Sequence, residues 1–412
     1  MFCLGRSLKA RYALLLFITG GNTLKKTVHT VVEVFDTVNL QNNIMAALTF
    51  GANRVIFLYE SGQEETMEGV CAFLKEKKPK QDIDKILVDL RSAKHIVQEL
   101  FAAIHAEGKE VLVDINGGSS IVGNYARECC RQYSYPCAAI DVAGGVVVGI
   151  EHATEWEGEY KFRTLTFQDI LLLQGRTYNR NMHMLADEEY FDRILDICEY
   201  AFEHQQEFKL FYSFVHNKSG GELSEPDLKI VLNKAKDKGL SGKITDIFRL
   251  FVKHEFITDL VYGKEQVTFT CVAPFVKEML AVQGSWLEMY VYILAKRSGL
   301  FSEVYQSVMI GWDLQKRPKF NVENEIDVVL MKQGRPIFMS CKMTNPKPDA
   351  LNEIYALADS FGGYGAIPAL ATSSDVKKRA TTLWNRAQEM NVALVDYHML
   401  NRKGLQKFFE KL

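Results

Sequence analysis

The sequence is most informative first in what it lacks. No C-x-x-C pair occurs among its eight cysteines, which are scattered from Cys3 to Cys341. That excludes a zinc knuckle and a disulfide framework, and it predicts a reducing, cytoplasmic setting with most thiols as small buried apolar groups. No apolar run reaches the ~18 residues of a membrane span. The basic start and the short run YALLLFI near the N-terminus have no small-residue cleavage pattern after them, so the run is read as an additional strand rather than a targeting signal. The formal net charge is only −2, so no global field draws the chain to nucleic acid and any such contact must be local. There is no G-x-G-x-x-G and no Walker lysine, which disfavours a dinucleotide cofactor and an ATPase. The lysine-rich KEKKPK at 75–80 and the basic stretch 377–411 read as solvated helical faces, although the second could touch a phosphate backbone.

What is present divides into three segments over 412 residues, a length that suits two or three domains. Up to about residue 150, apolar strands alternate with amphipathic helices. The strands are VHTVVEV, RVIFLYE (54–60), KILVDL (85–90), EVLVDI (110–115), CAAIDV and GVVVGI; AKHIVQELFAAIHAEG (93–108) is a helix closed by glycine. This alternation predicts an α/β fold with a mostly parallel sheet whose ligands bind where strands end and helices begin. Two junctions stand out: FDTVNLQNN (35–43) and DINGGSSIVGNYA (114–126). In the second, Gly117 and Gly118 permit close backbone approach, Ser119 or Ser120 can cap the helix, and the free amides favour an anion. A tight turn with an N-cap explains the same residues.

Residues 151–282 are helix-rich and charged, with a helix at 187–204 and then a helix and hairpin turning at Gly263-Lys264, the order of a winged-helix unit. Residues 283–412 form a compact α/β unit: a helix at 284–299, a hairpin within 324–342, a helix at 349–363, a strand at 365–374, another helix and a strand at 391–397. If the hairpin turns on Gln333-Gly334, Asp327 faces Ser340 and Glu325 faces Lys342, all on one side; Ile326, Val328, Ile337, Met339 and Cys341 face a core on the other. A carboxylate and a lysine so placed suit a hard cation and a phosphate undergoing hydrolysis. Glu288, on a mostly apolar helix face, supplies a second carboxylate. A Glu325–Lys342 ion pair with an exposed Glu288 is the alternative.

These residues resemble the PD-(D/E)XK nuclease pattern: Glu288 on the leading helix, Asp327 on one strand and Lys342 closing the motif on the next, with Cys341 as X and Ser340 where the pattern has an acid. The resemblance implies Mg²⁺ or Mn²⁺ held by Glu288, Asp327 and the carbonyl of Cys341, with Glu353 as a displaced acid on the following helix. The first segment resembles the CARF domain, a Rossmann-like sensor of cyclic oligoadenylates, through DINGGSS and DTVNLQNN. The whole order resembles the CRISPR type III ancillary nucleases of the CARF plus PD-(D/E)XK type, which GSWLEMYVY, NEIDVVL, SCK and SFGG also resemble. That implies three parts: a CARF domain at 1–150, a helical or winged-helix-like linker at 151–282 and a nuclease domain at 283–412. It implies a homodimer that binds cyclic oligoadenylate, such as cyclic tetra-adenylate, through Thr37, Asn39, Asn116, Gly117, Gly118, Ser119 and Ser120. Nuclease units brought together by the ligand would then cut DNA or RNA. Two other readings stay open: a sensor with a degenerate, non-catalytic third unit, and a ligand-controlled transcription regulator using residues 225–272.

Overall fold

The computed structural model describes residues 27–142, 144–180, 185–219, 227–233, 241–282, 284–312, 324–343 and 345–412. The strand expected at YALLLFI lies outside them. Contacts divide the chain into two units, residues 1–36, 41–63 and 78–163 against residues 37–40, 64–77 and 164–412.

The first half runs β1 (Thr30–Val34), α1 (Asn42–Thr49), β2 (Arg54–Tyr59), α2 (Glu64–Lys77), β3 (Asp82–Leu87), α3 (Ala93–Glu107), β4 (Val111–Asp114), α4 (Ser120–Tyr133), β5 (Cys137–Asp141), β6 (Val146–Glu151) and β7 (Gly158–Glu159). Of these, α2 groups with the second unit. The seven strands form one sheet in the order β3-β2-β1-β4-β5-β6-β7, parallel from β3 to β5 and antiparallel beyond. The strand order reverses between β1 and β4, the place where an open α/β sheet leaves a crevice at its carboxyl edge. The fully buried β1 and β4 are the sheet's centre. Gly108 ends α3 in the left-handed region (φ 65°), the glycine stop that the sequence announced. The third strand starts three residues earlier than expected. Its polar residues belong to a sheet edge, where Asp84 pairs with Arg54 of β2 at 2.5 Å.

The second unit runs α5 (Phe167–Leu173), β8 (Arg176–Arg180), α6 (Phe191–Glu203), α7 (Gln205–Lys218), β9 (Lys229–Asn233), α8 (Gly242–Lys253), β10 (Ile257–Tyr262), β11 (Gln266–Cys271), α9 (Pro274–Ala281), α10 (Ser285–Ser298), β12 (Glu303–Trp312), β13 (Asn324–Lys332), β14 (Arg335–Lys342), α11 (Pro348–Phe361), β15 (Ile367–Thr372), α12 (Val376–Arg379), α13 (Thr381–Glu389), β16 (Ala393–Val395) and α14 (Arg402–Lys411). Its large sheet has the order β16-β15-β14-β13-β12-β8, and a second sheet has the order β10-β11-β9. One continuous core joins α6 to α10 with the inner face of the large sheet, centred on the fully buried Trp286 and Tyr290.

The hairpin forms in the expected register. Val328 pairs with Met339 and Lys332 with Arg335, around Gln333 (φ 54°) and Gly334 (φ 76°). Two successive positive-φ residues make the tight turn whose twist matches the flanking strands. Three strands of the second unit have no counterpart in the sequence pattern: β8, β9 and β12. In β8 the sequence RTYNR shows no apolar alternation, because its arginines bury their planes on rings: Arg176 over Phe361 and Arg180 over Tyr305. Ser285 lies inside the first turn of α10 and donates to the Val282 carbonyl at 2.7 Å; Gly284 is the N-cap.

Candidate active site and ligand loop

Three elements converge on Asp327. The antiparallel pairing of β13 with β14 sets Ser340 opposite it, and the Ser340 hydroxyl donates to Asp327 Oδ2 at 3.3 Å. The backbone N–H of Cys341 donates to the same oxygen at 2.6 Å. On the other flank, β12 pairs Gln306 with Val328 and Val308 with Ile326, so Ser307 stands across from Asp327. Ser307 is held at φ 49° and donates to Glu325 Oε1 at 2.9 Å. A buried serine in the left-handed region marks an irregularity that re-aims a side chain, here toward the acidic row.

The leading helix brings Glu288 to this row. It lies in the first turn of α10 and is 8% exposed. A side chain at Gly284 would meet Glu288 Oε1 at 3.1 Å, so the glycine leaves room for the carboxylate over the helix start. Burial pushes the Glu288 carboxyl up to about 9, reinforced by Asp327 and Glu325 and opposed by Lys342. Burial also raises Asp327, against the pull of the Cys341 N–H and Lys342. Crowded carboxylates in a low dielectric resist ionisation unless a cation joins them. Glu288, Asp327 and Lys342 are thus brought within electrostatic reach of one another, as the sequence pattern anticipated. The alternative pairing does not form: Lys342 makes no ion pair among the described residues, and Glu325 takes its hydrogen bond from Ser307. Glu325 and Ser307 belong to the cluster by position. The two-residue alternation of β13 signals the glutamate, and nothing in the local sequence signals the serine.

The oxygen donors suit a hard divalent ion. Among the described residues, however, no group of three His, Cys, Asp or Glu side chains is arranged to hold a metal. The Cys341 side chain is no ligand. It is buried in the core, and burial beside Asp327 and Glu288 keeps the thiol protonated. Only its carbonyl remains for that role. Glu353 is exposed on α11 and makes no hydrogen bond or ion pair among the described residues.

In the first unit, the 114–120 loop is shaped by packing. A side chain at Gly117 would collide with Asp36, and one at Gly118 (φ 70°) with the Phe35 carbonyl. The glycines are therefore required by the approach of this loop to the end of β1. Asn116 donates its side-chain amide to the Ile140 carbonyl at 2.6 Å and its backbone N–H to Asp114 at 2.9 Å, tying β4 to β5. Ser119 is the N-cap of α4 by backbone geometry, with no side-chain capping bond, and Ser120 is exposed at the first helical position. Thr37, exposed, and Asn39, half-buried, fall in the 37–40 segment that groups with the second unit. Beneath the loop lies a cluster that the sequence reading missed. Glu33 and Asp114 are register partners on β1 and β4, both buried, and Asp36 is also buried. Burial, with Asp36 nearby, raises the Asp114 carboxyl to about 7 against the Asn116 N–H that lowers it. Burial and Asp114 raise Glu33 well above the ordinary range.

Among comparisons with known proteins, residues 277–407 match the family model described as Card1-like, endonuclease domain. No curated protein matches the sequence. Protein VC1899 from Vibrio cholerae shares the fold at TM-score 0.74 and 16% identity, over 92% of this chain and 98% of that one. Can2 from Sulfobacillus thermosulfidooxidans, solved in complex with cyclic tetra-adenylate, does so at TM-score 0.66 and 16% identity, over 92% of this chain and 99% of that one. The matched segment begins in α9 and holds Glu288, Asp327 and Lys342, so the endonuclease part of the expected resemblance is borne out, and the two structural neighbours share the fold of nearly the whole chain.

Proposed function

We propose that the chain is a cyclic-oligoadenylate-activated, metal-dependent nuclease that hydrolyses phosphodiester bonds in type III CRISPR antiviral defence. The observation that carries this reading is the convergence of Glu288, Asp327 and Lys342 at the fork of β13 and β14, inside the segment that matches an endonuclease domain. Glu288, Asp327 and the carbonyl of Cys341 would hold Mg²⁺ or Mn²⁺. Such an ion supplies a Lewis acid for the phosphate and lowers the cost of a hydroxide nucleophile. The chain's own part is orientation and charge. The Cys341 N–H and Ser340 hydroxyl fix one Asp327 oxygen, and the other accepts no hydrogen bond among the described residues. Lys342, unpaired among the described residues, is placed to stabilise negative charge gathering on the phosphate oxygens.

The first unit supplies the sensor in this reading. Its fold is shared with a protein solved with cyclic tetra-adenylate. The proposed contacts remain Thr37, Asn39 and the 116–120 loop, in a homodimer that places two copies of each around one ligand. The proposed division is a CARF domain at 1–150, a helical and winged-helix-like linker at 151–282, and a nuclease domain at 283–412. Ligand binding switches such a machine only through unequal affinity for its active and resting arrangements.

The test is cleavage of single- and double-stranded DNA and RNA, with and without cyclic tetra-adenylate and divalent metal. The wild type cuts only with both present. The Asp327→Ala and Lys342→Ala proteins bind the ligand and do not cut. Equal cutting by wild type and both variants would show that the site is elsewhere. One observation favours a second reading: Ser340 occupies the place of an acid, and no three-ligand metal group occurs among the described residues. A non-catalytic sensor would bind cyclic tetra-adenylate and cut nothing at any metal concentration.

A further inference from the structure

Beside the acidic row the second unit holds a cavity of about 580 Å³ that no step above uses. Its walls are the start of α7, the loop after β15 and the turn at Tyr397–Met399. It adjoins the site through the backbone. Ser373, in the cavity wall, donates its N–H to the Lys342 carbonyl at 3.3 Å and its hydroxyl to the Met343 carbonyl at 2.6 Å. Strands β14, β15 and β16 are parallel, so the cavity opens at their shared carboxyl edge, where sheets of this kind take their ligands.

The walls are fixed to one another. Gln205 Nε2 donates to the Ser373 carbonyl at 2.9 Å, locking α7 to β15. The Tyr397 N–H donates to the Ser374 carbonyl at 3.2 Å, and Asp396 accepts from the His398 N–H at 3.1 Å. Asp375 Oδ2 stands 3.1 Å from His398 Nε2. The volume falls within the range of ligand clefts, and the cleft is open to solvent on one side.

The chemistry of the lining selects the occupant. No lysine or arginine lines it; the ionisable groups are Glu203, Glu207, Asp375 and two histidines. Lys243 reaches Glu207 at 3.0 Å from outside the lining; a phosphate at Glu203 and Asp375 would meet carboxylates. A nucleobase is neutral, and its exocyclic amino group donates to a carboxylate in the way that cytosine donates to Asp or Glu. The exposed ring of Tyr397 and the imidazole of His398 offer stacking surfaces for an unstacked base. We propose that this cavity receives one nucleobase of the strand being cut, at a fixed distance from the scissile phosphate, and selects it through Asp375, His398 and Tyr397. The inference rests on the nuclease reading above and adds a specificity pocket to it.

The test maps the ends of products from a randomised oligonucleotide cut by the full-length protein with cyclic tetra-adenylate and Mn²⁺. The wild type favours amino-bearing bases at one position by about tenfold, the worth of one good edge contact. Asp375→Asn retains an oxygen to cap Lys378 and should keep its fold, yet the preference falls to near parity; Tyr397→Ala weakens it for every base. A second arm needs no cutting. Fluorescence anisotropy without metal compares short labelled oligo-dC, oligo-dA and oligo-dT on wild type and Asp375→Asn. Tighter wild-type binding of dC and dA than dT, lost in the variant, supports the pocket. Unbiased wild-type ends with no difference among the oligonucleotides, or the same bias in both proteins, overturns it. Absence of all cutting would instead count against the nuclease reading and leave the binding arm to decide.

Discussion

The molecule gathers two acidic clusters, one buried and one open to solvent at Glu325, and they differ in one further ingredient. In the first unit Glu33, Asp114 and Asp36 gather at the carboxyl ends of β1 and β4, and no basic side chain enters among the groups that shift Glu33 or Asp114. In the second, Glu288, Glu325 and Asp327 gather with Lys342 and two serines. Glu33 and Asp114, raised by burial, hold their protons further up the pH scale than ordinary carboxylates do. In the second cluster Lys342 opposes the rise of Glu288 and Asp327 without cancelling it: Glu288 still stands near 9, and a bound cation would displace its proton. In the proposed reading the first cluster underlies a loop, the second is the catalytic site, and the lysine tells them apart.

Removing that lysine is the largest break in the comparison. Lys342→Ala should lower ligand-stimulated cleavage by about 10²–10³-fold, the cost of deleting one preorganised charge-stabilising group. The melting temperature should change little, because the ammonium pairs with no carboxylate among the described residues. Asp327→Ala should cost at least as much activity. A lysine variant retaining more than about half of wild-type cleavage would make the second cluster as inert as the first.

The second break adds an acid. Ser340 lies across from Asp327 and uses its hydroxyl on it. Ser340→Asp would complete the three-acid set, and calorimetric Mn²⁺ affinity should rise by about tenfold, near 1.4 kcal/mol. Ser340→Ala should cost Asp327 one hydrogen bond and lower activity by a few-fold, about 1 kcal/mol. Unchanged Mn²⁺ affinity in Ser340→Asp would mean that position 340 faces away from the ion.

The first cluster can be sharpened by pH. Asp114 holds its proton in the folded protein up to about 7, whereas an unfolded aspartate loses it near ~3.9. Folding therefore retains a proton between those values, and the stability tied to this group is intact below about pH 4 and lost progressively as pH rises to about 7. Asp114→Asn, which never ionises, should melt with the wild type near pH 4. By pH 8 it should exceed the wild type by roughly 2–4 kcal/mol. Identical pH profiles for the two proteins would show that Asp114 is already ionised in the fold.

Much of this was legible in the sequence, for physical reasons that also mark where legibility ended. The hairpin register followed from the Gln333-Gly334 turn, because a two-residue turn leaves only one pairing that keeps Ile326, Val328 and Met339 in the core. Glu288 was visible as an acid on an apolar helix face. Ser307 was not, because its place beside Glu325 depends on a backbone irregularity in β12, which is a tertiary fact. Strand β8 hid because cation–π contacts, rather than an apolar stripe, cover its side chains. Glu33 hid because its partner Asp114 arrives from a strand about 80 residues away, and parallel pairing across a crossover leaves no local signature. The glycines of the 116–120 loop were read as ligand contacts, whereas Gly117 and Gly118 are first required by Asp36 and the Phe35 carbonyl.

The smallest effect tests where the missing acid is. An acid displaced from position 340 to the next helix would have to be Glu353, on α11, which packs against β14 and β15. Its side chain is exposed, and the charges that raise Glu288 are Asp327 and Glu325. An exposed carboxylate that engages no neighbour contributes little until a substrate or an ion reaches it. Glu353→Gln should accordingly leave cleavage within about twofold of wild type and stability within ~0.5 kcal/mol. A loss of tenfold or more at saturating metal, with an unchanged melt, would move the third ligand from β14 to α11. It would also mean that Ser340 is a relocation of the motif rather than a gap in it.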